Sequence, residues 1–157
     1  MNNKNAVVLA GDYAYIRQIE PALKSLCYHN RQLKISLFNQ DIPVEWFRAT
    51  REHVERLGGE LLDIKLIGPQ FQMNWTNKLG HINHMTFARY FIPDFVEENT
   101  VLYLDCDLVV NQDLTPLFDI DLGDYPLAAV QDLGAQYYFN EYIFNSGVML
   151  INNRLWK

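Results

Sequence analysis

The sequence lacks the glycine-rich and nucleophile motifs of several common enzyme classes. It contains no G-x-G-x-x-G, no G-x-x-x-x-G-K and no G-x-S-x-G segment. These patterns are typical of dinucleotide-binding domains, P-loop proteins and α/β hydrolases, respectively. Any chemistry of this chain therefore has to rest on a different set of residues.

Cysteine is scarce, with only Cys27 and Cys106 in the chain. Two cysteines this far apart provide neither a disulfide framework nor a C-x-x-C metal or redox motif. Both are predicted to be reduced thiols, and neither is predicted to be catalytic.

An excess of positive charge and long apolar runs are also missing. The formal net charge is -6 at pH 7, whereas a protein that binds a nucleic-acid backbone needs a positive face. The apolar runs stop short of the roughly 18 residues of a membrane span. The segment Met1–Ala10 offers one cation and too short an apolar core for a secretory signal. We expect a cytoplasmic chain without a nucleic-acid partner, and the sequence leaves its oligomeric state open.

Apolar residues alternate between strand-like runs and helical spacing. Helices are predicted around residues 16–26, 46–57 and 82–91. Strands are predicted at residues 6–10, 33–38, 60–67, 127–130 and 148–151, and in the run 101–110. This alternation indicates a single α/β domain over residues 1–157, with a Rossmann-like, mostly parallel sheet flanked by helices.

The apolar run Val101–Val110 is interrupted by two carboxylates. On an extended backbone, Asp105 and Asp107 point to one side while Cys106 turns to the other. Two like charges facing one place need compensation, and a hard divalent cation with oxygen ligands is the commonest solution. The alternative is turn chemistry, since aspartates at a strand end often only close a turn.

A second polar signal follows the first predicted strand, where Asp12 comes directly after Gly11. In open α/β sheets, ligands bind beyond the carboxyl ends of the strands. The two signals therefore point to one cleft that holds Asp12 together with Asp105 and Asp107.

Four segments resemble, in this order, motifs of glycosyltransferase family 8, whose enzymes depend on nucleotide sugars and retain the anomeric configuration. The segments are Val8–Asp12, Thr86–Tyr90, Val101–Asp107 and Phe144–Asn152. The last reads F-N-S-G-V-M-L-I-N and is similar to the family's F-N-[AS]-G-V-x-L-I-N. The resemblance spans nearly the whole chain and implies a GT-A nucleotide-diphospho-sugar transferase fold.

The resemblance assigns nucleotide contacts to the first loop. Ala10 and Asp12 would contact the uridine, with the Asp12 carboxylate accepting from the uracil imide, and Tyr15 would stack on the base. The family often has Asp-x-Asn-Tyr here, but this chain has Ala14 in place of the asparagine, so a ribose contact is missing. Alternatively, Asp12 only caps the following helix and Tyr15 only packs against it.

Further donor positions follow from the resemblance. Arg89 would hold the pyrophosphate or sugar hydroxyls with its rigid guanidinium, although an arginine on an aromatic helix often only pairs with a surface acid. Cys106 also falls among the donor-binding positions. Asn145 and Ser146 would read the donor-sugar hydroxyls, and their alternative is an ordinary tight turn.

The resemblance makes Asp105 and Asp107 ligands of Mn, with Mg as the other candidate. His81 and Asp132 would contact the acceptor. The spacing of His81 and His84 resembles a metal-ligand pair, but core or solvated histidines are commoner at such positions, and they are not assigned to the metal.

The implied function is transfer of a hexose, glucose or galactose, from a UDP-sugar to a glycan, lipid-linked or protein-linked acceptor. No catalytic nucleophile is assigned. The family usually has a later segment, of H-x-x-G-x-x-K-P-W character, with a third metal ligand and further contacts. Because this chain has no counterpart of that later segment, we expect a donor-binding portion without the usual C-terminal part. The full-length protein is expected to associate peripherally with a membrane.

Two other interpretations remain open. Haloacid-dehalogenase phosphatases also use Asp-x-Asp after an apolar strand, with the first aspartate as nucleophile and the second as acid or base. However, that family has a later metal-binding motif with two acidic residues. Asp124 could be the first of them, but Ala128 occupies the place of the second. The third interpretation is a non-catalytic fragment that binds nucleotide sugars.

Overall fold

Six strands form one sheet in the computed structural model, which describes residues 4–71 and 84–156. The strands are β1 (Asn5–Ala10), β2 (Leu33–Asn39), β3 (Glu60–Lys65), β4 (Thr100–Leu104), β5 (Leu127–Gln131) and β6 (Phe144–Asn152). Their order across the sheet is β3-β2-β1-β4-β6-β5.

Helices connect these strands and cover the sheet. The α-helices are α1 (Ile16–His29), α2 (Val44–Arg56), α3 (Ile92–Phe95), α4 (Thr115–Phe118) and α5 (Leu133–Phe139). Short 3₁₀ helices span Tyr13–Tyr15 and Pro69–Phe71, and a longer one, here called the cleft helix, spans His84–Phe91. The predicted helix 82–91 is thus found as a 3₁₀ helix, and residues 82 and 83 lie outside the described part.

The sheet is mostly parallel, as predicted. β1 pairs in parallel with β2 and β4, and β2 pairs in parallel with β3. β6 runs antiparallel to both β4 and β5, so it alone is reversed among these six strands. This reversal places the amino end of β6 beside the carboxyl end of β4, where Leu104 pairs with Val148.

The strand alternation of β1 divides the core into two layers. Val7 and Leu9 pack with residues of α1 and α2 on one face of the sheet, whereas Val8 packs with residues of the cleft helix and α3 on the other. Ile19 and Leu26 of α1 are fully buried, as the predicted helical spacing requires. Each apolar side chain buried in this way contributes about 1.5–3 kcal/mol of transfer free energy.

The prediction of extended structure through the carboxylate pair is wrong. β4 ends at Leu104, and Cys106 and Asp107 form a turn. Continuing the strand would carry both carboxylates into the sheet without water, and such burial is costly for unpaired charges. The chain therefore leaves the sheet where the aspartates begin, before Val110 returns to the core.

A buried amide fixes the turn that follows β2. Asn39 is fully buried, and its Nδ2 donates to Leu37 O at 3.1 Å and to Asp63 Oδ1 at 2.8 Å. Its Oδ1 accepts from Ile42 N at 3.1 Å and from Lys65 Nζ at 2.6 Å. One side chain thus joins β2, β3 and the loop at the carboxyl edge of the sheet.

We expect Asn39→Ala to lower the free energy of unfolding by about 1–3 kcal/mol, because it leaves buried partners without their hydrogen bonds. Urea unfolding followed by circular dichroism measures the change. The exposed Asn111 provides the matched control, and Asn111→Ala is expected to stay within about 0.5 kcal/mol of the unchanged chain. Equal midpoints for the two variants would contradict the proposed anchoring role.

Candidate donor and metal site

An open cleft of about 250 Å³ lies where β1 and β4 end and β6 begins. It is lined by Ala10, Gly11, Tyr15, Met85, Thr86, Arg89, Tyr103, Asp105, Cys106, Asp107 and Ser146. The strand order changes direction at this point, since β1 is followed by β2 on one side and by β4 on the other. Such crevices are where open α/β sheets bind ligands.

The carboxylate of Asp105 is held by two donors on one oxygen. Tyr103 Oη donates to Asp105 Oδ1 at 2.8 Å, and Arg89 Nη2 donates to the same oxygen at 3.3 Å. The backbone N–H of Asp105 donates to Gly147 O at 2.7 Å. The first residue of the Asp-x-Asp pair is therefore fixed through both its side chain and its backbone.

Arg89 is only 7% exposed, and its guanidinium joins three elements. Nε donates to Thr86 O at 2.9 Å within the cleft helix, Nη1 donates to Ser146 O in β6, and Nη2 reaches Asp105 after β4. Its Cζ lies 4.5 Å from the ring centroid of Tyr103, a cation–π distance. The acid that pairs with Arg89 is thus a cleft residue and not a surface one.

The cleft contains some of the ligands that a hard divalent cation needs. Asp105 and Asp107 both line the cleft and supply the carboxylate oxygens that Mn²⁺ and Mg²⁺ accept. Gly147 leaves space beside Asp105, since a Cβ there would lie 2.8 Å from Asp105 Oδ2. Within residues 4–71 and 84–156, no group of three His, Cys, Asp or Glu side chains could hold a metal.

The loop after β1 forms the opposite wall of the cleft. Ala10 and the half-buried Tyr15 line it, and Tyr15 also packs against the core. The 8% exposed Asp12 makes no capping hydrogen bond to the 3₁₀ helix that follows, and its Oδ1 accepts from Gln40 N at 3.2 Å. The capping alternative for Asp12 is therefore wrong, whereas its predicted contact with uracil stays a prediction.

Cys106 lines the cleft together with both aspartates, contrary to the expected alternation, because Cys106 and Asp107 lie in a turn. Burial raises the pKa of its thiol to about 11, and the nearby charges of Asp107 and Asp105 add to the shift. At neutral pH the thiol is therefore protonated, which agrees with a residue that packs and does not act as a nucleophile.

The segment at the start of β6 combines a local side-chain contact with the cleft wall. Asn145 Oδ1 accepts from Gly147 N at 2.9 Å, but both residues lie within β6 and not in the ordinary tight turn of the alternative interpretation. Ser146 lines the cleft and accepts from Arg89 through its carbonyl. Their predicted contacts with sugar hydroxyls stay predictions.

The two predicted acceptor residues lie differently. Asp132 caps α5, with Oδ1 accepting from Ala135 N at 2.9 Å, and it is not among the residues that line the cleft. His81 lies outside the described residues.

Sequence reasoning missed Tyr103 as a cleft residue. Tyr103 precedes Asp105 by two residues, so the strand period could have placed its side chain on the same side of the strand as Asp105.

The sequence model of glycosyl transferase family 8 matches residues 6–157. The chain belongs to this family. This membership sets aside the haloacid-dehalogenase alternative, which rested on the local Asp-x-Asp pattern alone. No helix in the described part of this family member is long and apolar enough to cross a bilayer.

Named relatives are bacterial glycosyltransferases. The chain is 64% identical over 156 residues to glycosyltransferase GlyE of Streptococcus pneumoniae serotype 4 (strain ATCC BAA-334 / TIGR4), covering 99% of this chain and 37% of GlyE. It is 44% identical to GlyA of the same strain, covering 99% of this chain and 22% of GlyA. The chain thus spans well under half of the length of these relatives.

Solved structures show the same GT-A fold. The crystal structure of GlyE from S. pneumoniae TIGR4 superimposes with a TM-score of 0.82 at 56% identity, over 99% of this chain and 36% of GlyE. The galactosyltransferase LgtC, solved with donor and acceptor sugar analogs, superimposes with a TM-score of 0.85 at 29% identity. That match covers 96% of this chain and 59% of LgtC. The predicted fold class is therefore confirmed.

We expect Gly147→Ala to lower the free energy of unfolding by about 1–3 kcal/mol, the usual cost of overpacking. The new Cβ would lie 2.8 Å from Asp105 Oδ2 and 3.1 Å from Asn145 Oδ1, so the fixed carboxylate has to move. Urea unfolding measures the loss.

The control for this substitution is Gly134→Ala inside α5, where the nearest atom to the added Cβ is Asp132 Oδ1 at 3.4 Å. That change is expected to be neutral or to stabilise the fold by up to about 1 kcal/mol. A Gly147→Ala variant as stable as Gly134→Ala would show that the carboxylate is not held in place.

Proposed function

We propose that this chain is the donor-binding portion of a retaining hexosyltransferase that takes glucose or galactose from a UDP-sugar. One observation carries the proposal: two carboxylates, a buried guanidinium and the loop after β1 line one cleft at the carboxyl edge of the sheet. Membership in glycosyl transferase family 8 and the donor and acceptor analogs held by LgtC support transfer of a sugar from that cleft.

The nucleotide is proposed to lie against the loop after β1. Ala10 and Asp12 contact the uridine, and Tyr15 provides an aromatic face for the base. Because β1 and β4 are adjacent and parallel, the end of β1 lies beside Asp105 and Asp107, and the diphosphate of the bound nucleotide is proposed to point toward these two carboxylates. Charge then requires a cation between the phosphates and the two carboxylates.

Asp105 and Asp107 are proposed to hold Mn²⁺ or Mg²⁺. When bound, the ion supplies positive charge for the diphosphate that leaves the sugar. Arg89 keeps Asp105 oriented and adds a fixed positive charge at the cleft wall. Asn145 and Ser146, at the start of β6, are proposed to orient the donor sugar, and the Cys106 thiol to pack against the donor.

The acceptor is proposed to be a glycan or a lipid-linked or protein-linked saccharide. His81 and Asp132 are proposed acceptor contacts. The reaction is proposed to take place in the cytoplasm, with the whole protein peripheral to a membrane. A non-catalytic nucleotide-sugar-binding role is the second candidate, favoured by the presence of only two carboxylates among the described residues that line the cleft.

Calorimetric titration of the chain with UDP, with and without Mn²⁺, tests the site. We expect Mn²⁺ to strengthen UDP binding, and Asp107→Asn to weaken the Mn²⁺-dependent binding by about tenfold or more, because the ligand charge of the site falls. The control is Asp124→Asn, since Asp124 is exposed and does not line the cleft. It is expected to bind like the unchanged chain.

A UDP affinity that changes neither with Mn²⁺ nor with the Asp107→Asn substitution would overturn the proposed metal site. Release of UDP from UDP-glucose or UDP-galactose distinguishes the two candidate functions. Metal-dependent UDP binding with turnover supports the transferase, whereas the same binding without any turnover favours the non-catalytic role.

A further inference from the structure

Tyr103 is a buried residue of β4 whose hydroxyl reaches the cleft. Its side chain is 1% exposed and packs in the core layer with Val8 and Ala88. The hydroxyl is the one polar atom of the side chain, and it donates to Asp105 Oδ1 at 2.8 Å. Among the described residues, this is the shorter of the two side-chain hydrogen bonds on that oxygen, since Arg89 Nη2 lies 3.3 Å away.

The two oxygens of the Asp105 carboxylate differ in their surroundings, because both donors bind the same oxygen. Oδ1 is engaged by Tyr103 and Arg89, whereas Oδ2 lies beside Gly147, 2.8 Å from the position that a Cβ would occupy there. Rotation of the carboxylate about its Cβ–Cγ bond would exchange these positions. The Tyr103 hydrogen bond opposes that rotation because the strand backbone and the core packing fix the phenol ring.

We propose that Tyr103 is a positioning residue for the cation site: its hydroxyl fixes Asp105 so that Oδ2 faces the cation. This inference rests on the proposed function, because it assumes that Asp105 is a metal ligand. Tyr103 does not touch the cation itself. Hydrogen bonds to ligating carboxylates orient the ligand, and their removal typically weakens metal binding 10- to 100-fold.

Arg89 alone does not replace this contact. Its guanidinium is also bonded to Thr86 O and Ser146 O, so its position is set by the cleft helix and β6. Its longer hydrogen bond to Oδ1 constrains the carboxylate less than the phenol does. Removing the hydroxyl therefore leaves Asp105 paired with Arg89 but with a weaker constraint on the rotation of its carboxylate.

The variant Tyr103→Phe deletes the hydroxyl and keeps the ring that fills the core. We expect Mn²⁺ affinity in the presence of UDP, measured by calorimetry and by the electron paramagnetic resonance signal of free Mn²⁺, to fall about 10- to 100-fold. UDP affinity in EDTA is expected to stay within about twofold. Tyr125→Phe is the matched control, since Tyr125 is 74% exposed, and it is expected to change neither affinity.

A Tyr103→Phe variant with unchanged Mn²⁺ affinity, in a chain whose Asp107→Asn variant loses it, would overturn the positioning role alone. An equal loss of Mn²⁺-dependent and EDTA-resistant UDP binding would also overturn it, because that pattern indicates a damaged cleft. Absence of any Mn²⁺ effect on the unchanged chain would overturn the proposed function itself. The double variant Tyr103→Phe/Asp105→Asn is expected to lose no more affinity than Asp105→Asn, and a further loss would show that Tyr103 acts elsewhere.

Discussion

The reversed direction of β6 is the constraint on which the cleft depends. Because β6 is antiparallel to β4, Asp105 N donates a 2.7 Å hydrogen bond to Gly147 O, which extends the pairing of the two strands by one residue beyond Leu104. A parallel strand in this place would put its amino end at the far edge of the sheet. Reversal brings Asn145 and Ser146 to the edge where the aspartates leave β4, so two distant parts of the sequence meet.

Electrostatics then decides what this edge can bind. Asp105 and Asp107 bring two negative charges to the cleft, and Arg89, which is almost fully buried, compensates one of them. Among the described residues of the cleft, the remaining negative charge favours a cation, whereas a diphosphate alone would be repelled. The cation–π contact with Tyr103 and the hydrogen bonds to Thr86 O and Ser146 O replace the water that the buried guanidinium has lost. This charge balance supports the proposal that a nucleotide binds here together with a metal ion.

Much of this could be predicted from the sequence, because the signals were local. The spacing of Ile19 and Leu26 predicted α1, and the alternation of strand-like and helical segments predicted the order of the main elements. The turn at Cys106 was considered only as an alternative, because the apolar residues up to Val110 hide the end of β4 at Leu104. The partners of Arg89 could not be predicted, since Ser146 lies 57 residues away and meets it only through the sheet order.

The three-way attachment of Arg89 also has an entropic consequence. Its hydrogen bonds join the cleft helix, the end of β4 and the start of β6, so none of these can shift alone without breaking a contact to a buried charge. Ordering a flexible side chain on association costs about 0.5–1.5 kcal/mol. Here that cost has already been met during folding, so this wall of the cleft is preorganised, and a ligand does not have to spend its binding free energy on assembling it.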